Sequence, residues 1–371
     1  MRIQHVELRD ISLPLVTPFR TSLGSQDRRD LLLVKVTTAD RHVGWGECAA
    51  DADPSYSPEY IAGARDVLRN HLIPAVLRAD DVAAAGVGEL LGRVRGHQMA
   101  KSALEMAILD AELRAHDTSL ASLFGVRRTV LAVGVSVGIM DSIDELLEAV
   151  AEHVDAGYAR IKLKIEPGWD VAPLAAVREA FGDALPLQVD ANTAYGPGDL
   201  GYLRGLDRFG LTLIEQPFAP DDLATHAALA ARMDTPICLD ESITSTRDAM
   251  TAVRQGACSI INIKPGRVGG YFEARRIHDL CFASGVPVWC GGMLETGLGR
   301  AANLALAALP GFTLPGDISA TSRYYAQDVT RPFELVDGVI ELPTGPGIGV
   351  EPHLDRLELA TTAVEIVGVP S

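Results

Sequence analysis

The sequence predicts an α/β protein, a modified TIM (β/α) barrel joined to a smaller α+β unit. Beyond about residue 130, short β-type runs alternate with amphipathic helical stretches, the signature of repeated βα units. Eight such runs occur, at 132–139, 159–165, 186–190, 211–215, 236–240, 259–264, 286–290 and 312–314. Eight parallel strands with intervening helices favour a closed barrel over an open, doubly wound sheet. The 371 residues are also more than one compact domain usually holds, so one large and one smaller unit are expected.

Before the barrel, Ile11, Leu13 and Leu15 alternate with more polar neighbours, and Leu31 to Thr38 is rich in β-formers. Ala39-Asp-Arg-His42 offers a turn into Val43-Gly-Trp-Gly-Glu47, which completes an antiparallel sheet. A helical pattern begins at Ser57-Pro-Glu59, and Lys101 to Ala115, rich in Ala, Leu, Met and Glu, reads as a second, stronger helix. From about Ala326 the pattern turns irregular, and this tail is expected to pack back on the first unit. The expected division is therefore 1–129 for the α+β unit, 130–325 for the barrel and 326–371 for the returning segment.

Composition narrows the function. The chain is 47% apolar and carries a net charge of −16, so its surface repels phosphate backbones and anionic lipid. Nucleic-acid and membrane partners are not expected, whereas a small carboxylate substrate remains compatible, because a metal and a few cations set the potential inside a pocket. Cys48, Cys238, Cys258, Cys281 and Cys290 form no C-x-x-C pair and suit a reduced cytoplasm as buried, inert thiols. No signal-peptide core and no membrane-length apolar run occurs, so a soluble, cytoplasmic protein is expected.

Ionisable residues mark the C-terminal ends of five consecutive predicted strands, where a barrel exposes its active site. They are Lys162 and Lys164, Asp190, Glu215, Asp240 and Lys264, with spacings from Lys164 onward of 26, 25, 25 and 24 residues. One strand, one helix and two loops per step put them at one level around one mouth. Any one acid alone reads as a helix N-cap, but three in register at contact distance demand a cation. Hard oxygen ligands with room for water and substrate suit Mg²⁺, with Mn²⁺ or Co²⁺ as alternatives.

Lys162 and Lys164 share a strand face, and Lys264 reaches the mouth from the far side. An ammonium of ordinary pKa, about 10.4, is a poor base until its pKa falls to about 7, which a dication and neighbouring cations promote. A base beside a metal-held carboxylate is the machinery for removing a weakly acidic α-proton and stabilising the resulting enolate.

Ile161-Lys-Leu-Lys164, Val189-Asp-Ala-Asn192, Ile214-Glu-Gln-Pro217, Leu239-Asp-Glu-Ser242 and Asn262-Ile-Lys-Pro-Gly-Arg267 resemble the enolase superfamily, muconate-lactonising subgroup. Pro18-Phe-Arg-Thr21, Gly134-Val-Ser-Val-Gly-Ile139, Ile263 to Gly270 and Trp289-Cys-Gly-Gly-Met-Leu-Glu-Thr-Gly297 are similar to the N-acylamino acid racemase and o-succinylbenzoate synthase family within it. The resemblance implies a barrel capped by a domain drawn from both termini, Asp190, Glu215 and Asp240 as Mg²⁺ ligands, and Lys164 and Lys264 as the acid/base pair. It implies substrate-contacting or supporting roles for Lys162, Ser136, Asn192, Arg267, Gly292, Met293 and Phe19. Arg267 reads either as a cation tuning Lys264 or as a surface salt bridge. Pro18 to Gly24 resembles a loop that closes over the site. The implied activity is racemisation of N-acylamino acids, N-succinylamino acids among them, dehydration to o-succinylbenzoate in menaquinone biosynthesis, or both, by a homo-oligomer that is often an octamer. Muconate cycloisomerase and dipeptide epimerase are the alternatives. The epimerase is disfavoured because Asp317-Ile-Ser319 stands where that relative carries D-x-D. A non-catalytic binding barrel is a more remote reading, since it needs all these acids and lysines to be inert.

Overall fold

The computed structural model describes residues 1–368. Its first unit is an antiparallel sheet of β1 (Ile3–Thr21), β2 (Gly24–Thr38) and β3 (Val43–Cys48). Val6 pairs with Val36 and Leu8 with Val34, so the buried faces coincide across β1 and β2. Helix α1 (Gln98–Ala115) lies across β3, where Gly44 and Gly46 meet the backbone of Ala103, Ala107 and Ala111. A Cβ on either glycine would overlap that backbone, which explains the Gly-Trp-Gly pattern and the alanine spacing of four.

The barrel strands are β4 (Gly134–Val137), β5 (Arg160–Lys164), β6 (Leu187–Asp190), β7 (Ile214–Glu215), β8 (Ile237–Leu239), β9 (Ile260–Ile263) and β10 (Val288–Cys290), all parallel and in sequential order. The expected eighth strand at 312–314 does not form as a ladder. In its place, isolated bridges join Phe312 to Val288 and Gly316 to Val133. Gly134 N donates to Gly316 O at 2.8 Å and Asp317 N to Cys290 O at 3.0 Å, so this segment still spans the gap between β10 and β4. Pro310 and Pro315 flank it, and a proline has no N–H to give a ladder. The first strand is also shorter than expected, because Val130–Ala132 leaves the barrel to pair antiparallel with Val339–Glu341.

The tail ends in β11 (Thr361–Gly368), which pairs antiparallel with β1 from His5–Gly368 to Ile11–Thr361. Residues 369–371 of the expected returning segment lie outside the described residues. Inside the barrel, Leu213, Cys238, Ile260 and Trp289 form an apolar floor beneath the ionisable layer. All five cysteines are buried and unbridged, and burial raises their thiols, that of Cys258 to about 12. Among the described residues, no helix is long and apolar enough to cross a membrane.

Two buried acids join the units. Glu105 on α1 accepts from Tyr271 N at 2.5 Å and Phe272 N at 3.2 Å, at the start of the helix Tyr271–Ala283. Glu47 of β3 accepts from Thr296 N at 3.0 Å, Thr296 Oγ1 at 2.6 Å and Gly299 N at 3.1 Å, at the start of Gly297–Ala307. Orphan N–H groups at a helix start suit a carboxylate. Burial nevertheless pushes Glu47 up to about 8, with Glu295 adding repulsion. Between its ordinary 4.5 and about 8 the unfolded carboxyl ionises first, so folding stability from this group is full at the acid end and falls as pH rises. Wild type should therefore lose thermal stability relative to Glu47→Gln as pH is raised from about 5 to 8. Parallel melting profiles of the two proteins would refute this.

Candidate active site

Strand register explains how evenly spaced residues reach one mouth. Lys164 pairs with Asp190 and Asp190 with Glu215, but Glu215 pairs with Cys238, two residues short of Asp240. Ile261 pairs with Leu239, so Asn262 follows beside Asp240, and Lys264 lies two residues further on. The offsets are thus zero, zero, two and two residues. Their mean of one per strand is the stagger that a tilted eight-stranded barrel of shear 8 requires. Equal spacing becomes equal height around the axis, although not one hydrogen-bonded rung.

The side chains interlock. Lys164 Nζ donates to Asp190 Oδ2 at 2.6 Å and to Asn192 Oδ1 at 2.7 Å. Lys162 Nζ donates to Glu215 Oε2 at 3.0 Å and pairs with Asp317 at 2.5 Å and Asp190 at 3.2 Å. Glu215 Oε1 accepts from Asn262 Nδ2 at 2.7 Å. Lys264 Nζ donates to Asp240 Oδ2 at 2.8 Å and Tyr56 Oη at 3.1 Å. Lys164 ends β5 and Lys264 follows β9, so they face each other across half the barrel. The room for Lys264 comes from Gly291, where a Cβ would stand 2.6 Å from the lysine Cε.

Electrostatics differ among the lysines. Burial acts to lower Lys162, but Asp317, Glu215 and Asp190 outweigh it and raise the pKa. Burial prevails at Lys164, whose pKa falls despite Asp190. At Lys264, burial is outweighed by Tyr56, Glu215 and Glu241, and the pKa rises. Burial raises Glu215, with Asp190 adding to it. Glu241 is pushed up to about 7 by burial and then by Asp190.

The acids fit a hard cation by their chemistry. Asp190, Glu215 and Asp240 are all buried, and Asp240 Oδ1 has no hydrogen-bond donor among the described residues. Arg267 Nη1 touches that oxygen as an ion pair without a hydrogen bond's angles. Among the described residues no three acids, histidines or cysteines form a ready-made ion cage. Each of the three carboxylates is turned onto an ammonium instead.

Above the acids lies a cavity of about 350 Å³. Lys162, Lys164, Lys264, Ser136, Asn192, Gly292, Met293 and Phe19 line it. Asp190, Glu215, Asp240 and Arg267 stand behind its wall, beneath the lysine heads. Arg267 is no surface salt bridge: it is 5% exposed and donates to Ile243 O at 2.7 Å and Asn262 O at 2.6 Å. Ser136 Oγ is buried with no partner among the described residues. Pro18 to Thr21 are the end of β1 rather than a loop, paired with β2 from Phe19 on, and the turn between the two strands closes one side, where Ser22 Oγ donates to Ala191 O at 3.2 Å.

Residues 145–356 match the family described as enolase C-terminal domain-like. Residues 4–125 match the mandelate racemase / muconate lactonizing enzyme N-terminal domain. The chain belongs to the enolase superfamily. An N-succinylamino acid racemase from an Amycolatopsis species is 59% identical over 99% of this chain and 100% of its own length. An o-succinylbenzoate synthase from Geobacillus kaustophilus is 45% identical over 97% of this chain and 96% of its own. The crystal structure of an enolase-superfamily member from Listeria innocua superposes with a TM-score of 0.95 at 39% identity, covering 99% of both chains. The chain is an enzyme of this superfamily, and its relatives carry both racemase and synthase names.

Three further residues contact the predicted ones at the mouth. Tyr56 sits in an aperiodic segment of the first unit, yet its hydroxyl meets Lys264. Glu241 follows Asp240 and accepts from Asn192 Nδ2 at 3.0 Å. Asp317 neutralises both Lys162 and Arg160, the latter at 2.7 Å. Glu241 and Asp317 stand within motifs that the sequence marks, whereas Tyr56 stands in none.

Proposed function

We propose that this enzyme removes the α-proton of a dicarboxylate substrate with Mg²⁺ held by Asp190, Glu215 and Asp240, and that Lys164 and Lys264 are its acid/base pair. The reaction is racemisation of N-succinylamino acids, with dehydration to o-succinylbenzoate open to the same site. The observation that carries this reading is the opposition of Lys164 and Lys264 across half a barrel, each bonded to one of the three buried acids. Two bases on opposite sides are what inversion at one carbon needs, since a proton leaves one face and another arrives at the other.

When bound, Mg²⁺ supplies positive charge that stabilises negative charge developing on the substrate carboxylate and lowers the pKa of nearby lysines. Cationic side chains line the cavity, Lys162, Lys164, Lys264, Arg28 and Arg29 among them, and an N-succinylamino acid carries two carboxylates to meet them and the dication. Lys162 keeps Asp317, which is not assigned to the cation and acts to raise its pKa, and so holds negative charge without exchanging a proton. Ser136 offers its unpartnered hydroxyl to the amide of the acyl group, and Phe19 provides apolar wall.

The test is to incubate the protein and Mg²⁺ with single enantiomers of an N-succinylamino acid in D₂O. Optical rotation follows inversion and NMR follows deuterium at the α-carbon. Inversion with deuterium incorporation is expected. No α-proton exchange from either enantiomer, together with no dehydration of the hydrated precursor of o-succinylbenzoate, would overturn the reading.

A further inference from the structure

Each proposed base has a polar neighbour of its own, and the two neighbours come from different parts of the chain. Tyr56 belongs to the first unit, after β3. Its Oη accepts from Lys264 Nζ at 3.1 Å, and the ammonium lies 4.8 Å from the ring centroid. The same hydroxyl donates to Asp240 Oδ2 at 3.3 Å, and Arg267 Nη1 approaches it at 3.5 Å.

Asn192, just beyond β6, serves Lys164 by accepting at 2.7 Å. Its amide must present oxygen to the lysine, because Nδ2 donates to Glu241 Oε1 at 3.0 Å and a carboxylate accepts only from the nitrogen end. The residue holds a left-handed backbone at φ +41°, a strain that persists only where the surroundings enforce it. Asn192 N donates to Asp190 Oδ1 at 3.0 Å, and Ser22 Oγ reaches Asn192 O at 3.4 Å from the capping loop.

The carboxylates that now hold the two ammonium groups are Asp190 and Asp240, both assigned to the cation. A lysine has four side-chain torsions to fix, so its aim then depends on what other partner it keeps. For Lys264 that partner is Tyr56, and for Lys164 it is Asn192.

We propose that Tyr56 and Asn192 are positioning residues, one for each base: Tyr56 aims Lys264, and Asn192, backed by Glu241, aims Lys164. They therefore act on opposite faces of the substrate. This inference rests on the two-base reading above.

The test measures deuterium entry at the α-carbon of each enantiomer of one N-succinylamino acid, separately, with Mg²⁺ in D₂O. Lys164→Ala and Lys264→Ala assign which enantiomer each base deprotonates. Tyr56→Phe should slow exchange of the Lys264 enantiomer about tenfold and leave the other within about twofold, and Asn192→Leu should do the reverse. The readout is a ratio within one preparation, so a partly folded variant lowers both rates and leaves the ratio unchanged. Tyr56→Leu and Asn192→Ala should give the same ratios if the near-isosteric variants do not fold. If the lysine variants separate the enantiomers but the Tyr56 and Asn192 variants slow both alike, the positioning inference is overturned and the two-base reading stands. If the lysine variants do not separate them, the two-base reading fails and this inference with it.

Discussion

Asp190→Asn, Glu215→Gln and Asp240→Asn should each abolish turnover, by about a thousandfold or more, and weaken Mg²⁺ binding in calorimetric titration. Each substitution keeps the side chain's shape and removes one of the three anionic ligands proposed for the cation. The losses should differ in kind. At Asp240 the carboxylate also faces Lys264 and Arg267, so Asp240→Asn leaves two buried cations without their shared partner. Breaking such a buried pair destabilises by about 3–5 kcal/mol, which a lowered melting temperature would register. Asp190 is shared by Lys162 and Lys164, and Lys162 retains Glu215 and Asp317 when it is neutralised. Asp190→Asn should therefore melt closer to wild type while still losing activity. Chelation should silence the wild type, and added Mg²⁺ should restore it. Undiminished turnover in excess chelator would overturn the assignment of these acids.

Much of this was legible in the chain because barrel architecture converts period into position. Runs of β-formers about 25 residues apart force successive strands side by side, and an acid or lysine ending each run must meet the others. What escaped depends on geometry that no local pattern encodes. The stagger of two residues at Asp240 and again at Lys264 follows from strand tilt, which emerges only on closure. The eighth strand looked like a run at Phe312–Leu314, yet Pro310 and Pro315 reduce its pairing to single bridges. Tyr56 could not be found from periodicity, because its position follows from how an irregular segment packs across a unit boundary. Arg267 was open between surface and interior, and burial decides it. Glu47 lies in a strand run and Glu105 in a helical one, and neither run marks the glutamate that binds the start of a barrel helix.

The two lysines should separate under substitution according to what each reaction asks of them. Racemisation needs two proton carriers, because Lys164 and Lys264 reach the site from opposite sides and each can address only one face. Lys164→Ala and Lys264→Ala should both lower interconversion by at least about a thousandfold. The remaining base can still wash deuterium into one enantiomer without inverting it. Dehydration asks for less: one lysine takes the proton, and the other need only hold positive charge near the developing anion. The electrostatics suggest which is which. Burial acts to lower Lys164 toward the neutral form that a base requires, whereas Tyr56 and Glu241, neither of them assigned to the cation, act to raise Lys264. Lys264→Arg preserves a cation and removes a usable proton carrier, since a guanidinium does not deprotonate in this range. This variant should keep measurable dehydration while losing racemisation, and Lys164→Arg should lose both. Assaying the two reactions on one preparation of each variant checks the pattern. Equal retention of dehydration by both arginine variants would show that the lysines are not divided between base and cation in this way.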